Sequence, residues 1–344
     1  MGKEIIISAV GDLLMKAKII DSARVAGKNQ YSFDSMFNKV SPFLKSADLT
    51  IGNLETTFSG RAAIYERRSP RTGFPLFNCP DELAPALRRA GFNILMTANN
   101  HCMDGGVEGL KRTLRVLDSN GLAHTGTFAD FLQSRKFLIK NVKGIRIGFL
   151  AYTKGTNSIP IPAEKPWLVN LIGFAKMKED LQRLRAQVDF IVVYLHFGKE
   201  YHQTPSEEQK QIVEWLFAHG ANIVLGAHPH VLQPMVFTPK GKFVIYSLGN
   251  FISTMLRKNP FTLNGVIFYL RLRKDNKGQT SITGIHYIPT WVYQSMARGR
   301  SQFRILPIPQ TLRNPHSNIP VEEQRMMRRM WAYNRRLFSL RSIK

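Results

Sequence analysis

Gly226-Ala227-His228-Pro229-His230 follows the apolar run Ile223-Val224-Leu225 and leads into Val231-Leu232-Gln233-Pro234. The run reads as a buried strand. The histidines sit on an abrupt turn past its carboxyl end, which is where α/β sheets keep their chemistry. Two imidazoles one residue apart can aim at one point there. Alone, the pair is better explained as turn or core histidines, and it is the other strand ends of the chain that change that reading.

Ile5 to Val10 closes on Gly11-Asp12, and Asp48-Leu49-Thr50-Ile51-Gly52 ends in Asn53-Leu54-Glu55. Phe92 to Ala98 terminates in Asn99-Asn100-His101-Cys102-Met103-Asp104-Gly105-Gly106. Phe190-Ile191-Val192-Val193-Tyr194-Leu195, apolar at consecutive positions as a strand buried on both faces should be, delivers His196 and then Phe197-Gly198-Lys199-Glu200-Tyr201. Phe243 to Tyr246 adds Ser247-Leu248-Gly249-Asn250-Phe251. Between these runs, apolar spacing predicts helices over 33–45, 80–90, 107–119, 174–187 and up to His219. The last is opened by a capping box at Thr204-Pro205-Ser206-Glu207, with Pro205 at the first helical position. His202 and His219, on that helix or its lead-in, read as structural. Hairpins are predicted over 137–152 and 266–288. Residues 56–80 read as a surface loop whose Arg61, Arg67, Arg68 and Arg71 form either a solvated face or an anion-guiding rim.

With 344 residues the chain can bury a large core, and 48 Lys plus Arg against 24 Asp plus Glu give a net charge of +24. Such an excess concentrates anions of every kind, whether polymer, phosphorylated substrate, membrane or nucleic acid. Only Cys79 and Cys102 are present, without C-x-x-C spacing, which argues against a disulfide scaffold or thiolate zinc site and fits a reducing, cytoplasmic setting. Met1-Gly2-Lys3-Glu4 is too short a lead-in for a secretory signal, and no apolar run approaches the roughly 20 residues of a membrane span. From Arg298 to Lys344 the chain carries ten Arg and one Lys against Glu322 and Glu323, with Pro307, Pro309, Pro315 and Pro320 between. Two units are expected: residues 1–292, and a basic extension over 293–344 with an amphipathic helix at 321–338. That helix either packs on the main domain or meets an anionic membrane surface or partner protein.

Collected, the strand-end groups are Asp12, Glu55, Asn100, His101, His196, His228 and His230. Carboxylate, amide carbonyl and imidazole without thiolate suit one or two divalent ions such as Mn, Fe or Zn. A carboxylate bridging two ions about 4 Å apart lets both polarise one substrate oxygen.

These stretches resemble the CapA family of poly-γ-glutamate capsule biosynthesis proteins, a branch of the calcineurin-like metallophosphoesterase superfamily. The resemblance runs through Gly11-Asp12, Asn53-Leu54-Glu55, Asn99-Asn100-His101, His196-Phe197-Gly198, Gly226 to Gln233 and Tyr246 to Phe251, in order across residues 4–255. It implies an α/β fold, a four-layer α-β-β-α sandwich with a metal centre at the sheet ends. It further implies that Asp12 is the first-motif ligand and Glu55 the bridging carboxylate. Asn100 and His196 hold the second ion, His228 and His230 are paired ligands, and His101 is the general acid or transition-state donor. Asn53, Asp104, Glu200 and Asn250 are then orienting or substrate-contacting groups. One position departs: the superfamily's first motif is Asp-x-His, and the third position here is Leu14.

The expected function is metal-assisted attack, by a metal-dependent hydrolase, at a carbonyl or phosphoryl of an anionic polymer or peptide substrate, most naturally γ-glutamyl, with Asp12, Glu55 and His101 at its centre. The alternatives are metal-dependent epimerisation at a peptide Cα, and a non-catalytic polyanion-binding subunit of poly-γ-glutamate synthesis or export. A nucleic-acid partner leaves the ligand set unexplained.

Overall fold

A computed structural model describes residues 2–297, 299–314 and 318–339. Met1, Arg298, residues 315–317, including Pro315, and residues 340–344, including Lys344, lie outside the described residues. Among the described residues sixteen strands form: β1 Lys3–Leu13, β2 Leu49–Leu54, β3 Glu66–Arg68, β4 Pro75–Phe77, β5 Ile94–Met96, β6 Ala123–Thr125, β7 Leu138–Val142, β8 Ile145–Thr153, β9 Phe190–His196, β10 Ile223–Ala227, β11 Leu232–Phe237, β12 Phe243–Leu248, β13 Asn250–Ile252, β14 Asn264–Lys274, β15 Thr280–Ala297 and β16 Arg300–Pro307. One sheet has the order β16-β15-β14-β1-β2-β5-β6, with β13 also paired to β1; the other has the order β11-β12-β10-β9-β8-β7.

Alternation along the strands explains why these sheets stack. In β1, Ile5, Ile7 and Ala9 join a core shared with the other sheet, whereas Val10 and Leu13 enter a second core with the helices Ala17–Ala23, Asp34–Phe37, Ser41–Lys45 and Leu83–Ala90. In β9, Phe190, Val192 and Tyr194 face that shared core, while Ile191, Val193 and Leu195 pack with the helices Phe174–Arg185 and Glu207–Ala218. The layers therefore run helix, sheet, sheet, helix, the α/β fold that the resemblance implied. β1, β2, β5 and β6 are mutually parallel, as are β8, β9, β10 and β12, so each sheet gathers carboxyl ends at one edge.

Three local expectations are corrected. The capping box of helix Glu207–Ala218 uses Ser206 and Gln209, because Ser206 is the extended residue and the buried Gln209 side chain reaches back to its N–H at 3.0 Å. Thr204 and Pro205 precede the cap. Residues 56–80 contain a short hairpin, β3 with β4, in which Glu66 pairs Phe77. The boundary expected between residues 292 and 293 falls within β15, and β16 extends the same sheet.

The basic segment ends in a helix, Val321–Leu337. It buries Met327 and Met330 against the outer face of the first sheet, and Asn334 exchanges two hydrogen bonds with Asn264 at 2.8 and 3.0 Å. Arg325, Arg328, Arg329, Arg335 and Arg336 point outward. Among the described residues no helix is long and apolar enough to cross a membrane.

Candidate metal centre

Register brings the polar groups together. Asp12 lies beside Asn53 of β2 on one side and Asn250 of β13 on the other, and His196 pairs with Ala227, the residue before His228. Two close backbone approaches make this possible. A Cβ on Gly11 would stand 1.8 Å from the Gly249 carbonyl oxygen, and one on Gly226 would stand 1.9 Å from that of Tyr246. The turn after β10 then holds both histidines at positive φ, 94° for His228 and 58° for His230. Non-glycine residues adopt such geometry at a cost, and it concentrates at functional sites.

Two ligand sets result, Glu55 with His196 and His228, and Asp12 with Glu55 and His230; within each, the donor atoms all lie within 4.8 Å of one another. Glu55 Oε1 is 3.5 Å from His196 Nε2 and 3.9 Å from His230 Nε2. Asn100 lies beside the first set, its Oδ1 2.9 Å from His196 Nε2, about the separation of neighbouring ligands on an octahedral ion with bonds near 2.1 Å.

The surrounding groups orient these ligands. Asn53 donates to Asp12 Oδ1 at 2.8 Å and lies 3.2 Å from His196 Nδ1. His230 Nδ1 is held by Asp12 Oδ2 at 3.1 Å and Asn250 Oδ1 at 3.0 Å, which leaves Nε2 turned toward Glu55. His101 stands apart from both sets, its Nδ1 donating to Asp104 Oδ2 at 2.7 Å. Glu200 acts on the cluster through its charge, raising Glu55 and opposing the lowering of His228. Leu14, where the superfamily places an imidazole, is a buried hydrocarbon 3% exposed. The first set thus offers three donors with the Asn100 carbonyl beside them, and the second three.

Sequence reasoning missed Asn157. Its amide links Asn100 Oδ1's residue, through Asn100 Nδ2 to Asn157 Oδ1 at 3.2 Å, with His101 Nε2 at 3.4 Å. It lies just past β8, so the rule that found the other strand-end groups would have found it.

The electrostatics fit a cation. Both Glu55 carboxylate oxygens are buried without a hydrogen-bond partner among the described residues, as are His228 Nδ1 and Asp104 Oδ1. Burial, then the charges of Asp12, Glu200 and Asp104, push the Glu55 carboxyl well above its ordinary range. Burial and the neighbouring imidazoles push His196 well below its ordinary value, and burial with His230 takes His228 down to about 4, so both rings favour the neutral form that can ligate a metal. Burial also acts to lower His230, but the Asp12 hydrogen bond and charge outweigh it and raise the group. An unpartnered buried carboxylate facing neutral imidazoles is the donor set a divalent ion satisfies. A separate cavity of about 570 Å³, between Lys39, Tyr293, Arg304 and Gln310, contains none of these groups.

The family model for the bacterial capsule synthesis protein PGA_cap matches residues 6–255. The capsule biosynthesis protein CapA of Bacillus anthracis is 28% identical over 255 residues, which cover 73% of this chain and 60% of that protein. The PGA biosynthesis protein CapA of Bacillus subtilis is 28% identical over 290 residues, covering 81% of this chain and 70% of that protein. The match to the first of these relatives therefore spans under two thirds of its length. Among solved structures, Haemophilus influenzae NAD nucleotidase aligns over 99% of this chain and 65% of its own, with a TM-score of 0.50 and 15% identity, a likeness of fold.

Proposed function

The chain belongs to the bacterial capsule synthesis PGA_cap family, and from that premise we propose that it is a divalent-metal-dependent enzyme acting on an anionic γ-glutamyl or peptide substrate. The observation that carries this reading is Glu55, a buried carboxylate with two unpartnered oxygens shared by both ligand sets. Glu55, His196, His228 and Asn100 would hold one ion, of Mn, Fe or Zn type, and Asp12, Glu55 and His230 a second. When bound, such an ion supplies Lewis-acid polarisation of a carbonyl or phosphoryl oxygen.

The chain's own groups do the rest. With Nδ1–H committed to Asp104, neutral His101 presents Nε2 as a proton acceptor, and once protonated it becomes a donor whose positive charge Asp104 stabilises. Asn157 holds that ring beside Asn100, and the Phe77 ring packs on it with centroids 4.4 Å apart, excluding water from one face. Such a group serves leaving-group protonation in hydrolysis and equally proton transfer at a peptide Cα. The test is an activity screen of metal-loaded protein over γ-glutamyl peptides, phosphoesters and peptide epimerisation. The reading requires one of these activities to appear and to fall at least about 100-fold in His101→Ala, the usual scale for a lost general acid or base.

A second reading, a polyanion-binding subunit, is favoured by Leu14 and by the outward arginines of the last helix. It requires poly-γ-glutamate affinity that persists in Glu55→Gln and collapses with salt.

A further inference from the structure

Apart from Lys143, every non-glycine residue with positive φ among the described residues belongs to a loop of the metal centre or to one small turn beside it: Asn157, Ser158, Tyr201, His228, His230, Arg257 and Lys258. The last two form the turn. Leu256 and Asn259 bridge across it, with Asn259 N–H donating to the Leu256 carbonyl at 2.8 Å, and Arg257 and Lys258 between them take φ of 49° and 55°. That backbone is the mirror-image two-residue turn that Asn-Gly ordinarily fills. Two long cations are poor choices for the conformation alone, and their presence asks for a role at the tip.

Two separate paths tie this tip to the ligand set. Asn250, whose Oδ1 holds His230 Nδ1, donates through Nδ2 to the Thr262 carbonyl at 2.9 Å, and Thr262 Oγ1 accepts the Leu256 N–H at 2.9 Å. The second path is through a ring. Tyr201 N–H donates to the Pro229 carbonyl, between the paired histidines, at 2.8 Å; its ring lies 6.1 Å from that of His230, and the Arg257 guanidinium sits over it at 5.4 Å. Arg257 is exposed and makes no ion pair among the described residues. The guanidinium over this ring also hydrogen-bonds the Tyr201 side chain, and its remaining N–H groups can meet an oxyanion.

We infer that the Arg257-Lys258 turn is an oxyanion subsite of the metal centre, in which Arg257, backed by Tyr201, binds a carboxylate or phosphate group of the substrate next to the group that reacts. The inference rests on the anionic-substrate reading above. It assigns to these residues the recognition of charge, and to the ligand set the chemistry.

The test measures binding by calorimetry on the full chain, using three probes: γ-linked tetraglutamate, its fully amidated neutral counterpart, and phenylphosphonate. Arg257→Gln is expected to weaken tetraglutamate about tenfold or more, the scale of a lost charge-assisted hydrogen bond, and to leave the neutral peptide unchanged. Arg257→Lys should restore part of the loss, while metal content and Tm stay at wild-type values, which a merely structural role would not leave intact. Equal tetraglutamate affinity in wild type and Arg257→Gln overturns the subsite and leaves the γ-glutamyl reading standing. Phenylphosphonate binding that depends on Arg257, without tetraglutamate binding, keeps the subsite and removes the γ-glutamyl reading. Failure of wild type to bind either anion removes both.

Discussion

At Glu55 the fold buries a carboxylate with no donor for its charge, and the consequence is readable as a pH dependence. Its folded pKa is raised above the unfolded value near 4.5, so the metal-free folded form holds a proton that the unfolded form has lost, and stability falls as pH rises. His230, also raised, works in the same direction above its unfolded value near 6.5. His196 and His228 oppose them, His228 between about 4 and 6.5, because their lowered pKa values make folding more favourable as pH rises toward 6.5. Above pH 6.5 these two imidazoles no longer oppose the loss. Metal-free protein should therefore lose Tm as pH rises above 6.5, and saturating Mn should remove the loss; a flat metal-free profile would contradict the assignment. Leu14 carries a second expectation at this scale. Leu14→His supplies the imidazole missing from the second set and should raise bound metal toward two equivalents by elemental analysis, where wild type fills the first set, with Asn100 beside it, first. The strand-end groups of the site were legible because each follows an apolar run by one to five positions. Asn157 follows Tyr152 by five and lay within reach of the same rule, whereas nothing in the letters of Arg257 or Lys258 announces a backbone with positive φ.

At the scale of elements, the turn after β10 is placed by contact between strands. Gly226→Ala puts a methyl into the Tyr246 carbonyl of β12, where neither backbone can yield cheaply, and should cost about 2–3 kcal/mol in urea unfolding while releasing metal, since His228 and His230 ride on that strand. Retained stability with full metal content would show that the two strands have room to part. The parallel strands β1, β2, β9 and β10 were readable from sequence because burial on both faces leaves continuous apolar runs. β16 was not. Its Arg300, Gln302 and Arg304 alternate with residues facing inward, and arginine on the open face of an edge strand looks like basic tail when only composition is weighed. The cap at Ser206 was misplaced by two residues because Pro205 suits a first helical turn and also the residue before an extended cap.

For the whole molecule, the final helix decides whether the basic segment is an appendage or part of the core. Met330 is fully buried, and Met330→Ala should cost about 2–5 kcal/mol of unfolding free energy; deletion of residues 320–344 should then yield insoluble or molten protein. A truncated chain that keeps its Tm and its metal would instead make the helix a detachable arm for an anionic surface, the role its outward arginines suit.

The two stacked sheets, with twelve polar side chains carried from position 12 to position 250, have one shared product, a pair of ligand sets joined at Glu55. Elemental analysis of the purified wild type beside Glu55→Gln tests this most directly. At least one equivalent of Mn, Fe or Zn in wild type, absent from a folded Glu55→Gln protein, is the expected result. Wild type that takes up none of these ions after incubation with each, or a Glu55→Gln protein that holds as much as wild type, would contradict it.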